Sequence, residues 1–431
     1  MREIRSIWKS LDWLTIILFG ALVLYGWINI YAAIYEPGVD DYNNIFSLNI
    51  ASGKQLIWIF VASLLALVIL IVDFKFFFSV PYILYALSIL SLVGVLFFGH
   101  TIQGATSWYK IGSFTIQPSE FTKFATALAL AKLIDNKSVK LGVNRNSLIL
   151  GAIILLPAIL ILAQNETGTV LVFSSFIIVL YLYGLNPLIP AAGIVLAALF
   201  ISSIKFEPLH ITAVLFGILL IMAGAFAIVG LFTKRLRTLA IGAGACVAFS
   251  LFSFGTNFLV DNVFQPHQQR RLKALVNPQF DTQGINYQTN NSITAISSGG
   301  ALGKGYLKGD LTQGDFVPEQ YTDFIFTTIA EEQGFIGTFI VISLYVALLI
   351  RLTYLTQRQK SVFAKIYGYS VTSILFFHFT VNLGMTVGLF PVIGIPLPFF
   401  SYGGSSLWAF TILLFIFIKL DMHRSQILAR D

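Results

Sequence analysis

Long apolar runs punctuate this chain, and they constrain its fold more than any other feature. Nine are clear, at 11–33, 55–72, 76–99, 147–163, 168–185, 188–204, 211–232, 239–260 and 366–390. Each is close to the roughly 20 residues a helix needs to cross about 30 Å of hydrocarbon. A bilayer offers no water to the backbone, so such segments are expected to be helices. Three further runs are less clean. Residues 119–134 carry Glu120, Lys123 and Lys132, residues 323–350 open with Asp323 and hold Glu331 and Glu332, and 400–418 begins in a Gly-rich stretch. The pattern predicts an all-α, polytopic integral membrane protein of about twelve transmembrane helices, a single membrane domain over 1–431.

Composition agrees. Of 431 residues, 57% are hydrophobic and 11% charged, and the mean hydropathy is +0.82, whereas an ordinary soluble domain is about 25% charged. A cytosolic enzyme, a disordered chain and a disulfide scaffold are excluded. The single cysteine, Cys246, lies in the apolar run GAGACVAF and reads as a buried, inert thiol. The first run is too long for the apolar core of a signal peptide, so it is expected to be a span.

Charge placement sets the expected sidedness. With the N-terminus inside, 18 of the 27 Lys and Arg fall in inside segments, and only Lys54, Lys110 and Lys205 fall in short outside loops. The excess of cations on one side places both termini in the cytoplasm. The net charge of +7 therefore marks topology, and nucleic acid is not an expected partner.

Four polar regions then fall on the outer side. The largest, 261–322, is rich in Gly, Gln and Asn with interspersed aromatic residues, and reads as an ordered extracellular loop. The second, GATSWYKIGSFTIQPSEFTK at 104–123, contains a helix start: Pro118 precedes the turn, Ser119 is a candidate N-cap, and Glu120 suits the positive helix end. Glu120 and Lys123 are three apart and share one face, either as a structural pair or lining a wet cavity. The third, QNETGTV at 164–170, is a hairpin whose one charge is Glu166. The fourth, GLFPVIGIPLPFFSYGGSS at 388–406, has too many Pro and Gly for a regular helix and reads as a re-entrant loop buried in protein.

Four strings in this order, GATSWYKIGSFTIQPSEFTK, GINYQTNNSITAISSGGALGKGYLKG, FVPEQYTDFIFTTIAEEQGFIG and NLGMTVGLFPVIGIPLPFFSYGGSS, closely resemble the SEDS family of shape, elongation, division and sporulation proteins. The likeness covers most of 11–420 and leans to the elongation-type branch, with the division type as the alternative. It implies a peptidoglycan glycosyltransferase polymerising lipid II, a disaccharide-pentapeptide on undecaprenyl pyrophosphate, beside a class B penicillin-binding protein that cross-links. The family's essential acid lies in a stretch like DP-x-G-x-GYQ, here Asp281-Thr282-Gln283-Gly284-Ile285-Asn286-Tyr287-Gln288. The resemblance therefore puts the catalytic acid at Asp281, with Glu120 and Lys123 as further catalytic residues. It nominates Trp108, Gln117, Ser119, Glu166, Glu319 and Asp323 for substrate contact, together with Pro398, Ser401, Gly403, Gly404 and Ser405. Two departures stand out. The family's QPDLGT is QNETGT here, placing Glu166 at its Asp, and its QS is Asn291-Ser292. The family usually has ten spans, so 205–260 reads as an inserted helix pair.

Glycan growth joins a sugar hydroxyl to an anomeric carbon and expels a lipid pyrophosphate, which calls for a base and for positive charge. Asp281 is the candidate base; taken alone, a loop Asp equally suits a turn or a solvated position. Arg270, Arg271, Lys273, Lys304, Lys308 and Lys123 are candidates for the pyrophosphate, and the loop cations could equally bind anionic membrane lipids. No cofactor is certain. A divalent cation, Mg or Mn, could assist the pyrophosphate, yet His267 alone makes no metal cluster. Asp323, after Thr322 at a span start, suits a cap or a ligand contact. One of Glu331 and Glu332 is expected to face the bundle interior. The rival function is a lipid flippase, which would call for inverted repeats and a midplane site, and no convincing internal repeat is visible. An inactive scaffold would make Asp281 dispensable.

Overall fold

The computed structural model describes residues 10–36, 44–102, 104–112, 114–137, 145–228, 236–262, 269, 285–314 and 316–424. The first half of the chain forms α1 (Trp13–Ile34), α2 (Ala51–Ile71), α3 (Phe74–Ser79), α4 (Pro81–Phe98), then strands β1 (His100–Ile102), β2 (Ala105–Ile111) and β3 (Phe114–Ile116), then α5 (Pro118–Lys137), α6 (Arg145–Ala163), α7 (Thr167–Phe173) and α8 (Phe176–Leu182). It continues with α9 (Leu188–Lys205), α10 (Pro208–Ile228), α11 (Leu236–Asn262), α12 (Ile285–Gly299), α13 (Asp310–Gln313), α14 (Ile325–Gln357), α15 (Val362–Thr386) and α16 (Gly404–Met422). Local chemistry accounts for several starts. Asp12 caps α1 by accepting from Thr15 N at 3.1 Å, Asp73 caps α3 through Lys75 N at 2.9 Å, and Pro81 opens α4 where a missing N–H costs nothing.

Helix occurs within each of the twelve expected runs over their described residues, although 168–185 is broken at Ser174–Ser175 and 400–418 becomes helical at Gly404. Among the described residues nine helices are long and apolar enough to cross a membrane, while Leu148–Ala163 and Thr167–Leu182 are shorter apolar helices. Helix α5 is 20 residues long but carries the polar face of the candidate site. One element departs from an all-helical reading. β1, β2 and β3 form a three-stranded antiparallel meander, with Tyr109 opposite Ile116 and Thr106 opposite Thr101. The seven residues of β2 are too few and too mixed in polarity to stand out beside spans.

The chain divides into two compact units, 1–186 with 288–389 and 393–431, and 187–287 with 390–392. In the first unit α5, α15 and α16 are the most enclosed: 83% of the α16 span window is buried, against 22% for α2. Apolarity cannot decide this, because lipid welcomes Leu and Phe as readily as a core does. Small and polar residues decide it. Thr122 and Thr126 of α5 and Ser370, Asn382 and Thr386 of α15 are fully buried, and a Cβ on Gly368 would stand 2.5 Å from Phe417. The second unit holds α9, α10 and α11, so it begins one helix before the expected pair at 205–260. Asn257 Nδ2 donates to Ser203 O at 3.1 Å, joining α11 to α9, and Cys246 is a buried free thiol.

Candidate active site

The expected Glu120–Lys123 pair lies on one face of α5 and is almost wholly enclosed, with Glu120 3% and Lys123 1% exposed. Lys123 Nζ donates to Glu120 Oε1 at 2.8 Å and Oε2 at 2.9 Å. Its third contact is His378 Nε2 of α15, 3.0 Å away, and the ammonium sits 4.5 Å from the centre of the Phe410 ring. His378 is 1% exposed and meets Phe410 edge to face at 4.8 Å. Nothing in the sequence patterns marked this histidine, 255 residues away from the lysine it meets. An ionisable residue inside an apolar span was the one available signal.

Glu166, 47 residues on from Ser119 and just before α7, faces the start of α5. Ser119 Oγ donates to both of its carboxylate oxygens at 3.0 Å, Thr169 Oγ1 donates to Oε1, and the Gln117 side chain also bonds it. Burial pushes the Glu166 carboxyl up to about 7. The Thr169 bond opposes this, the charge of Glu120 adds to it, and Gln117 and Ser119 oppose it again. A carboxyl in this range can hold or release a proton near neutral pH. The arrangement also corrects the helix start: Pro118 is the first residue of α5, and the Ser119 hydroxyl, an expected N-cap, is turned to Glu166 instead. Gly168 follows the hairpin because a Cβ there would lie 2.3 Å from Ile393 O.

The segment after α15 is non-helical to Gly403, as its prolines require. From Ile395 on it is buried in protein, with Ile395, Leu397, Phe399 and Phe400 at most 3% exposed, whereas Val387, Leu389 and Phe390 are 40%, 75% and 41% exposed, so the expected buried loop holds for its second half alone. Its free backbone groups are met by side chains, as buried backbone requires. Asn382 Nδ2 donates to Ile395 O at 2.7 Å and to Asp323 O at 2.8 Å, Ser401 Oγ accepts from Leu397 N at 2.9 Å, and Tyr345 OH donates to Pro398 O. Gly403 N donates to Gln55 Oε1 at 3.3 Å, and a Cβ on Gly404 would press on the Trp58 ring at 2.9 Å. Ser405 Oγ donates to Thr115 O at 3.1 Å and accepts from Gln117 N at 3.3 Å, tying this segment to the sheet and to α5. Trp108 is half-buried in β2, opposite His100.

Glu331 and Glu332 both turn inward and are buried, rather than one of them. Gly334 (φ 63°, ψ −153°) kinks α14 directly behind them. The kink frees the carbonyls of Glu331 and Glu332 to accept from Lys304 N at 3.0 Å and Gly305 N at 2.9 Å. The Glu331 carboxylate takes Lys304 Nζ at 2.6 Å, Leu311 N at 3.0 Å and Thr312 N at 2.9 Å, and Glu332 takes Leu307 N at 3.1 Å. Lys304 also pairs with Asp310 at 3.0 Å. This candidate pyrophosphate cation is thus engaged in latching its own loop to α14. Glu319 has φ 56° and accepts from Thr322 Oγ1 at 2.9 Å. The cap of α14 is Phe324, not Asp323.

Asp281, Arg270, Arg271, Lys273 and His267 lie outside the described residues. The structure brings together Glu120, Lys123, Gln117, Ser119, Glu166 and Ser405, and adds His378, Thr169 and Asn382. Among the described residues no three His, Cys, Asp or Glu side chains group to hold a metal ion.

The family model described as cell cycle protein, covering FtsW, RodA and SpoVE, matches residues 12–214 and 188–426. The peptidoglycan glycosyltransferase RodA of Treponema pallidum is 31% identical over 429 residues, covering 94% of this chain and 96% of the relative. The peptidoglycan glycosyltransferase MrdB of Escherichia coli K12 is 32% identical over 348 residues, covering 80% of this chain and 79% of the relative. In fold, the chain resembles one solved in a peptidoglycan synthase complex that coordinates polymerization and crosslinking, with a TM-score of 0.69, 24% identity and coverage of 96% and 99%. This chain belongs to the FtsW/RodA/SpoVE family and is a peptidoglycan glycosyltransferase of its RodA/MrdB kind.

Proposed function

We propose that the chain polymerises lipid II into glycan strands during cell elongation, working at the outer face of the cytoplasmic membrane with both termini in the cytoplasm. The observation that carries this reading is the buried Glu120–Lys123 pair beside Glu166, where the start of α5, the hairpin and the Pro-rich segment converge. In the reaction the acceptor sugar hydroxyl attacks the anomeric carbon of the donor. The new C–O bond forms as the bond to the pyrophosphate breaks, and Asp281 takes the hydroxyl proton. Lys123, with all three N–H groups engaged, supplies a fixed charge, while Arg270 and Arg271 are the candidates to meet the departing phosphates with bidentate forks. A class B penicillin-binding protein is the expected partner and would cross-link the strands.

The test is polymer length on a gel, from purified protein, its penicillin-binding partner and fluorescent lipid II. Wild type is expected to make polymer, and Asp281→Asn to make none while still binding lipid II. Wild-type polymer from Asp281→Asn would remove the base assignment, and lipid translocation without polymer would make the chain a flippase. The same reaction with EDTA reads a requirement for Mg or Mn.

A further inference from the structure

His378 is buried, lies far from Lys123 in sequence, and has no part in the chemistry just described. Its two nitrogens face two different elements. Nδ1 is 3.2 Å from the Pro396 carbonyl oxygen and Nε2 is 3.0 Å from Lys123 Nζ. A carbonyl can only accept, so Nδ1 carries the ring proton. Nε2 then offers a lone pair, and the ammonium donates to it. A doubly protonated ring would set an N–H against the ammonium across 3.0 Å, so the ring is neutral. The outcome is one chain of hydrogen bonds running from Pro396 O through the imidazole and Lys123 to Glu120.

We propose that His378 is a positioning residue for Lys123, its Nδ1–H tautomer holding the ammonium in register with the Pro-rich segment. The proposal rests on the reading that Lys123 serves glycan transfer. Lys123 could keep both of its bonds to Glu120, three residues away, with any neighbour on α15. The imidazole adds a third bond from a distant helix, and a fourth link to the backbone of 388–403. A shift in that segment therefore moves the charge.

The substitutions separate holding from filling. His378→Gln keeps an acceptor for Lys123 and a donor for Pro396 on one side chain, whereas His378→Phe and His378→Met keep volume and lose both. In lipid II polymerisation the Phe variant is expected to lose at least about ten-fold in kcat with KM nearly unchanged, since misplacement by about 1 Å can cost a hundred-fold. The Gln variant is expected to stay within about three-fold of wild type. If the Phe variant does not accumulate, the Met variant carries the same comparison. The 15N spectrum of histidine-labelled protein in lipid nanodiscs, less that of His378→Gln, should show a neutral ring protonated at Nδ1. Full activity of His378→Phe, equal losses in Gln and Phe, or a ring protonated at Nε2 would each overturn the proposal. Lys123→Met distinguishes the two failures. If it is inactive while His378→Phe is active, positioning alone fails; if it is active, the role of Lys123 itself fails.

Discussion

Removing the Lys123 ammonium should leave Glu120 buried without its counter-charge, and the resulting cost separates scaffold from catalyst. The pair is enclosed on both sides, with side chains 2% and 3% exposed and 2.8 Å between the charged atoms. At an effective dielectric of about 20 such a contact carries roughly 6 kcal/mol of gross attraction, while desolvation takes much of it back. Breaking a buried pair by removing one partner typically costs about 3–5 kcal/mol. At roughly 2 °C per kcal/mol for a chain of this size, Lys123→Met should lower the unfolding midpoint by about 6–10 °C. Glu120→Gln should behave similarly, because it removes the counter-charge and leaves the ammonium one amide oxygen in place of two carboxylate oxygens. The double variant removes both charges and should recover most of that loss, since a buried pair replaced by neutral groups of like volume is often nearly neutral. Activity should not follow stability. The double variant should melt near wild type yet stay at least about a hundred-fold down in lipid II polymerisation, as expected when a fixed charge in the site is lost. The midpoint can be followed through the six tryptophans in detergent and the activity through polymer on a gel. A double variant that regains both stability and polymer would reduce the pair to scaffold. Single variants that melt like wild type would refute the burial argument.

Gly334→Ala should destabilise sharply: φ 63° with ψ −153° is glycine territory, and the new Cβ would meet Gly303 N at 2.3 Å and Gly300 O at 2.8 Å. Gly224→Ala in α10, with nothing within 4 Å, is the control expected to melt as wild type. Glu331→Gln should weaken the latch on Lys304, Leu311 and Thr312, read as faster hydrogen exchange confined to 303–312, and unchanged exchange there would contradict the latch. Because the Glu166 carboxyl is raised from 4.5 to about 7, the folded state holds that proton more tightly than the unfolded one. Its ionisation therefore costs stability as pH climbs from the ordinary carboxylate range through neutrality, and the cost is absent at lower pH. Glu166→Gln should flatten that fall in the melting midpoint, and an unchanged pH slope would show that the carboxyl does not titrate there.

Several parts of this site are legible in the sequence. Gln117, Ser119, Glu120 and Lys123 share a helix start by spacing alone, and the prolines at 391, 396 and 398 forbid a regular helix in a segment that the structure shows irregular throughout and buried from Ile395 on. Other parts were not. The meander at 100–116 was hidden because its strands are short and only partly alternating. Lys304 looked like a free loop cation because its partner, Glu331, lies 27 residues on, inside a helix whose kink depends on one glycine. Ser119 looked like a cap because capping is local, while the carboxylate that claims its hydroxyl comes from another hairpin.

The division follows from the solvent. Length and apolarity of each run are read against a bilayer of known thickness, and they settle the membrane class and where the long apolar helices lie, but not their ends or the polar helix Ile285–Gly299. The same bilayer erases the usual contrast between an inward and an outward face, because lipid accepts Leu and Phe on every side. Which helices lie at the centre, and which buried charges meet, depended on scattered polar and small side chains finding partners hundreds of positions away. Lys123 met His378, and Gln117 met Ser405, only once the helices had packed.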